Sequence, residues 1–271
     1  MIKKAIIPAA GYGTRSLPIS KVIPKEMFPI GIKPAIQYVV EEAIESGIEQ
    51  ILMVVSRSKN LIVDYFDHSL ELEAFLERKN KMHLMDAPNI PDIQIHYTRQ
   101  PIAKGLGDAI RLGKSFINDE SFAVLLPDDI ILHKHSPCLK QLIDVFTKYK
   151  ESVIGLQTVD EKYLNQYGVI KGKKHSNDTY RLTDIVEKPK INPPSQLAVI
   201  GRYVFTPMIF EQLDNIKRGI GGEYQLTDGM KALLQSENIY GKLIEGKRYD
   251  IGSMDDYMKL LNFVYSDMKN G

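Results

Sequence analysis

The stretch from Lys4 to Pro29 constrains this chain more than any other. Lys4-Ala5-Ile6-Ile7-Pro8-Ala9-Ala10 is a short apolar run of the kind that forms a buried strand. It breaks into Gly11-Tyr12-Gly13-Thr14-Arg15 and, after Pro18, into Lys21-Val22-Ile23-Pro24-Lys25-Glu26-Met27-Phe28-Pro29. A buried strand running into a glycine-rich loop is how α/β proteins present backbone N–H groups to phosphate. Glycine lets the chain approach a polyanion closely, and Arg15, Lys21 and Lys25 follow near enough in sequence to neutralise it. The residues point to a phosphate site, although on this local pattern alone a glycine turn is about as often only a turn.

Two common phosphate-binding designs do not fit. Ser16 stands where a dinucleotide fingerprint needs its third glycine, and Gly31, Ile32 and Lys33 lie about 20 positions on, where its acidic residue belongs. The pattern Gly-x4-Gly-Lys-Ser/Thr of P-loop proteins occurs nowhere. Formal net charge is +1, so no global basic field recruits nucleic acid or an anionic membrane, and any attraction for phosphate is local. No apolar run reaches the roughly 18 residues of a membrane helix. Met1-Ile2-Lys3-Lys4 leads straight into a strand, and the single cysteine, Cys138, excludes an internal disulfide. The expectation is a cytoplasmic protein without nucleic-acid or membrane partners. At 271 residues, 44% apolar, the chain has room for one large α/β domain, or a main domain with a small lobe.

The run Pro8-Ala9-Ala10-Gly11-x-Gly13-Thr14-Arg15-x-x-Pro18, continued by Lys21-x-x-Pro24-Lys25-Glu26-Met27-x-Pro29, resembles the signature of sugar-1-phosphate nucleotidylyltransferases. More narrowly it is similar to the bacterial UTP–glucose-1-phosphate uridylyltransferase family. Relatives that use dTTP usually carry Leu-Ala-Gly-Gly where this chain has Pro8-Ala9-Ala10-Gly11. The resemblance implies a Rossmann-like nucleotidyltransferase fold: a mostly parallel central sheet flanked by helices, with a smaller β-rich sugar-binding lobe. It implies one nucleotidyltransferase domain over 1–271, with a nucleotide-binding half to about 150 and a sugar-binding half from about 151.

Ile36 to Gly47 has a helical apolar stripe closed by glycine, and Ile51 to Val55 is the next buried strand, which completes a strand–helix–strand unit and implies a parallel pair. Asn60 to Met85 reads as an amphipathic helical excursion broken near Asp67-His68, with its carboxylates on a solvated face. The resembling family carries a similar insertion. Ile93 to Thr98 alternates like a strand and delivers Gln100, then Gly105-Leu106-Gly107 before a helix. In that family this segment holds the uracil, with Gln100 at the edge of the base and the Gly105–Gly107 backbone along it. Phe122 to Leu126 ends in Pro127-Asp128-Asp129, and carboxylates at a strand's C-terminal end sit where open α/β sheets place ligands. Asp128 suits a magnesium ion, which needs only one or two protein carboxylates beside phosphates and water. The resemblance points to Asp128 rather than Asp129, because in the uridylyltransferase branch the metal aspartate usually follows proline, as Asp128 follows Pro127.

From Glu151 short strands follow at Val153–Val159, Tyr167–Ile170, Tyr180–Val186 and Ala198–Phe205, separated by polar links, so this portion reads as a β-rich lobe packed on the parallel sheet. Glu187-Lys188-Pro189 matches the family's sugar motif: a carboxylate accepts hydrogen bonds from sugar hydroxyls and an ammonium neutralises a monophosphate. Gly168 and Gly201 would let backbone approach the sugar. Glu223-Tyr224-Gln225-Leu226-Thr227-Asp228 departs from the family's wording at Tyr224, a position expected to be structural, while Glu223 and Gln225 line the sugar pocket or a subunit contact. Tyr249-Asp250-Ile251-Gly252 matches the place where the family supplies a second metal ligand, Asp250. His133, His135 and Cys138 lack a fourth zinc ligand at a familiar spacing.

The reaction the resemblance implies is UTP plus glucose 1-phosphate giving UDP-glucose and pyrophosphate, assisted by Mg²⁺ on Asp128 and Asp250. Arg15, Lys25 and Lys188 are then the catalytic cations. The nucleotide site is Ala9, Ala10, Gly11, Gly13, Thr14, Arg15, Lys25, Gln100, Gly105, Gly107 and Asp128. The sugar site is Gly168, Glu187, Lys188 and Gly201. The alternatives are the same chemistry with dTTP or another sugar 1-phosphate, or a catalytically silent nucleotide-sugar sensor. A homodimer or homotetramer is the expected assembly.

Overall fold

The computed structural model describes residues 1–85 and 93–270. Strand β1 (Lys4–Ala9) lies inside the sheet, with the side chains of Ile6 and Ile7 fully buried. Successive side chains of a strand face opposite ways, so Ile7 and Ala5 enter one apolar core while Ile6 enters the other. The same split recurs in β4 (Gln50–Val55), where Met53 and Val55 face one core and Leu52 and Val54 the second. A strand that is apolar on both sides needs cover on both sides. Between these two strands come the short ribbon β2 (Pro29–Ile30) and β3 (Lys33–Pro34), then helix α1 (Ala35–Glu45), whose Val39 and Val40 cap the first core.

The remaining strands are β5 (Gln94–Arg99), β6 (Phe122–Leu125), β7 (Asp129–Leu132), β8 (Ser152–Thr158), β9 (Gly168–Lys174), β10 (Thr179–Glu187), β11 (Leu197–Phe205), β12 (Ile239–Leu243) and β13 (Lys247–Asp250). Helices α2 (Asn60–Phe66) and α3 (Leu70–Arg78) form the expected excursion, and the chain leaves helix at Asp67, as its sequence suggests. Beyond them lie α4 (Leu106–Arg111), α5 (Lys114–Ile117), α6 (Cys138–Tyr149), α7 (Met208–Asn215), α8 (Leu226–Leu233) and α9 (Met254–Asn270). Helix α6 joins α1 over the first core through Leu139, Leu142 and Phe146. Helices α4, α7 and α8 close the second with Ile110, Phe210 and Leu233. The architecture is α/β, with helices on both faces of a largely parallel sheet.

Among the described residues nine strands form one sheet in the order β5-β4-β1-β6-β11-β8-β12-β10-β9. Strands β5, β4, β1 and β6 are mutually parallel, and β11 runs antiparallel between β6 and β8. The β-rich portion expected to pack on this sheet instead prolongs it edge to edge. An open edge at β6 would leave a row of unpaired backbone groups, and β11 satisfies them. Strand β11 also shifts register against β8 between Val199 and Tyr203, and its Ala198 pairs with Val169 of β9. A bulge of this kind re-aims a strand. Here it brings the start of β9 and the end of β10 towards the loop after β6.

A separate ribbon was not foreseen. β7 and β13 pair antiparallel with Asp129 opposite Asp250. It joins two loops that are far apart in sequence.

Candidate active site

Because β5, β1 and β6 are parallel, their C-terminal ends share one edge of the sheet. That edge receives Gln100 after β5, Gly11 to Arg15 after β1, and Pro127-Asp128 after β6. Three strand spacings separate β5 from β6, a span of roughly 14 Å. A cavity of about 460 Å³ opens there. Ala10, Gly11, Gly13, Thr14 and Arg15 line it from the first loop, and Lys25 from the short helical turn that follows. Gln100, Gly105 and Asp128 complete the far walls, with Ala103, Leu106 and Ala109 as an apolar surface. Glu223 also reaches this cavity rather than its neighbour.

A second cavity, of about 610 Å³, is lined by Gly168, Glu187, Lys188, Gly201, Gln225 and Asp250. Arg15, Leu106, Leu126 and Asp128 line both cavities. One cleft therefore has two compartments that meet at a guanidinium and a carboxylate.

The charges at that junction are tightly paired. Lys25 Nζ donates to Asp128 Oδ2 at 2.5 Å, and Arg15 Nη1 donates to Asp250 Oδ2 at 2.9 Å. The other arm of Arg15 lies 4.0 Å from Asp128 Oδ2, so one guanidinium spans both carboxylates. Asp250 is held from behind by the backbone N–H of Gly252 at 2.7 Å, and the Asp128 carbonyl accepts from Ile251 N–H at 3.0 Å. The β7–β13 ribbon supplies this alignment. Burial alone would push the Lys25 ammonium down, but the Asp128 and Glu26 carboxylates outweigh it and its pKa rises. Burial would likewise raise Asp128, and Lys25 then Arg15 reverse the direction, holding it below the usual carboxylate range. Lys25 and Asp128 are thus both charged at neutral pH.

Asp128 and Asp250 offer hard oxygen donors on one side of the cleft, a set that suits magnesium when phosphates complete its shell. Among the described residues no group of three or more His, Cys, Asp or Glu side chains gathers to hold a metal unaided. His133 lies 3.4 Å from Glu45, while Cys138 is buried, and burial pushes its thiol up. Asp129 is committed elsewhere, accepting from the Gly201 N–H at 2.8 Å and from Arg248 Nη2 at 2.5 Å. That leaves Asp128 as the loop's carboxylate facing the cleft cations.

A scan of the whole chain matches residues 4–267 to the nucleotidyl transferase family. A Bacillus subtilis (strain 168) protein named, provisionally, UTP–glucose-1-phosphate uridylyltransferase is 60% identical over 270 residues, covering 100% of this chain and 99% of its own. A second protein of that strain, named UTP–glucose-1-phosphate uridylyltransferase without that qualification, is 49% identical over 93% of this chain and 87% of its own. The chain belongs to the nucleotidyl transferase family, in its UTP–glucose-1-phosphate uridylyltransferase branch. Among solved structures, a UDP-glucose pyrophosphorylase complexed with UDP-glucose superposes with a TM-score of 0.88 at 42% identity, over 98% of this chain and 100% of that one.

Within this member of the family several anticipated residues have placements that differ in detail from the sequence reading. The methyl group of Ala9 points into the first apolar core, and Ala10 is the residue that meets the cavity. Gly107 does not line the cavity; its N–H donates to the Tyr224 carbonyl at 2.8 Å, and a Cβ there would lie 2.9 Å from that oxygen. Gly105 has φ of +105°, a region side chains rarely adopt, and a Cβ would meet Tyr224 backbone atoms at 2.8 and 2.9 Å. The two glycines are thus required by the Tyr224 loop. Gly201 lines the second cavity, but its missing Cβ would strike Leu126 at 2.6 Å, so the loop after β6 is what demands it.

Tyr224, the departure from the family wording, has its backbone against Gly107 and its ring between two arginines. Its ring lies 5.7 Å from both the Arg111 and the Arg218 guanidinium carbons.

Three partnerships escaped the sequence reading. Glu26, which lines the first cavity, pairs with Lys59 at 2.7 Å, and both are almost fully buried. Thr227 Oγ1 donates to Glu187 Oε2 at 2.6 Å, fixing the motif's carboxylate. Arg248 bridges Asp129 and the Tyr167 hydroxyl, 3.0 Å away, on the wall of the second cavity.

Proposed function

We propose that this chain transfers the uridylyl group of UTP to glucose 1-phosphate, forming UDP-glucose and releasing pyrophosphate. The observation that carries this reading is the shared wall at Arg15 and Asp128, where a compartment lined by the glycine loop and Lys25 meets a compartment bearing the sugar motif. A phosphate oxygen of the sugar phosphate attacks the α-phosphorus of UTP. A new P–O bond forms as the bond to the β-phosphate oxygen breaks, and pyrophosphate departs. The attacking oxygen is already anionic, so no protein nucleophile or general base is needed, and catalysis consists of alignment and charge neutralisation. Lys25 and Arg15 hold the triphosphate against the Gly11–Gly13 loop. Lys188, whose ammonium lies 3.4 Å from Glu187, meets the sugar phosphate at the mouth of the second compartment. Glu187, oriented by Thr227, accepts from sugar hydroxyls. Asp128 and Asp250 would hold a magnesium ion, whose charge offsets that of the phosphates when it is bound. Among the described residues no helix is long and apolar enough to cross a membrane.

Pyrophosphate release with Mg²⁺ and glucose 1-phosphate, compared across UTP, dTTP, CTP, ATP and GTP, tests the assignment. A preference for UTP abolished by EDTA is the expected result. Release with dTTP alone would place the activity in a neighbouring branch, and binding of UTP without release would indicate a sensor. Within the same assay, Glu187→Gln removes the anionic acceptor while keeping its shape. It is expected to raise KM for glucose 1-phosphate about tenfold or more, consistent with the roughly 1.5–3 kcal/mol of a charged hydrogen bond, and to leave KM for UTP within about twofold. An unchanged sugar KM would remove Glu187 from the sugar site.

A further inference from the structure

Gln100 is the polar side chain presented by the strand end at the base side of the first cavity, and it is 3% exposed. An amide can offer either its N–H pair or its carbonyl, and which end faces a ligand decides what it recognises. Here the choice is made by neighbours that can only accept. Gln100 Nε2 donates to Asp108 Oδ2 at 2.8 Å and lies 3.3 Å from the Gly105 carbonyl oxygen. Turning the amide over would set Gln100 Oε1 against two acceptors, which is repulsive. Asp108 is itself fixed, since its Oδ1 accepts from Arg111 Nη2 at 2.8 Å. Arg111 is fixed in turn against the Tyr224 ring. Both N–H groups of Gln100 are therefore directed inward, while Oε1 accepts no hydrogen bond from the described residues.

We propose that Asp108 is a positioning residue that sets base selection, by holding the Gln100 amide so that its carbonyl faces the base. The inference rests on the uridylyltransferase reading above. A carbonyl acceptor suits uracil and thymine, whose N3 carries a hydrogen. It opposes cytosine, whose N3 is an acceptor. A site whose buried polar group is left facing the wrong partner rejects that ligand strongly. The device does not separate uracil from thymine, because both present the same N3–H.

Asp108→Asn tests this with little change of shape. Arg111 remains a donor and claims the new amide oxygen, so the new Nδ2 turns to Gln100. Gln100 then reverses and presents its N–H pair to the cavity. The expected result is a fall of at least tenfold in the ratio of kcat/KM for UTP to that for CTP, with the ratio for UTP to dTTP within about twofold of wild type. A general loss of activity that lowers UTP and CTP together, leaving their ratio unmoved, would overturn the proposal. Should Asp108→Asn not fold, Asp108→Ala, which leaves only the longer Gly105 contact to orient Gln100, is read by the same ratio with the same consequence. A wild-type enzyme that accepts CTP as readily as UTP would instead sink the functional reading on which the inference depends.

Discussion

Lys25→Met is expected to lower kcat about 100- to 1,000-fold while the protein stays folded. The magnitude is that of removing one preorganised donor from a site where charge develops. Lys25 is well placed for such a role. Its side chain is only 14% exposed, its ammonium stays charged against burial because Asp128 and Glu26 face it, and it lines the first cavity beside Asp128. Methionine keeps the length and the packing and deletes the charge. KM for UTP should move much less, because Arg15 and the Gly11–Gly13 loop still bind the triphosphate in its ground state. Steady-state kinetics with UTP varied, alongside far-UV circular dichroism, makes the measurement. Wild-type kcat in a folded variant would end this assignment of roles.

Arg202→Met is expected to be the most destabilising of the conservative-length substitutions considered, by about 3–5 kcal/mol. Arg202 is fully buried and donates in three directions. Its Nε and Nη2 contact the Glu42 carboxylate at 2.7–3.1 Å, Nη1 reaches the carbonyls of Leu126 and Gly201, and Nη2 reaches that of Asp129. Two of these carbonyls flank Pro127-Asp128, so the same side chain that neutralises Glu42 also pins the loop carrying the cleft carboxylate. Without it Glu42 keeps the Leu139 N–H as partner and remains a buried, uncompensated charge. For a chain of this size the melting temperature should fall by roughly 10 °C. Pairing the change with Glu42→Met should restore most of the loss, since removing both charges also removes the penalty of desolvating them. A single variant that melts within about a degree of wild type would show that the pair contributes nothing net.

Much of this protein is legible along the chain because the relevant physics is local. An apolar run such as Ile51–Val55 must be covered on both sides, and a stripe at helical spacing such as Val39, Val40 and Ala43 must face a core, whatever the rest of the molecule does. The glycine loop, Lys25, Asp128, Glu187 and Asp250 are carried by short motifs whose residue types match their chemistry. Their membership of one family could therefore be read before any contact was known. Asp67 breaks the α2–α3 excursion where the polar Asp67-His68 pair interrupts its stripe.

What the chain order could not decide is which distant groups meet. The placement of the β-rich half depends on which sheet edge β11 satisfies, a property of two strands and not of either one. The convergence of Asp128 with Asp250 depends on the β7–β13 ribbon, and the pairing of Asp129 with Arg248 joins residues 119 positions apart. The role of Gly105 and Gly107 likewise turned on Tyr224, whose backbone occupies the space a Cβ would need. Sequence determined the residue types, the elements and the chemistry available to the cleft. Tertiary structure alone decided their pairing, because hydrogen bonds and ion pairs act over a few ångströms and distance along the chain says nothing about distance across the fold.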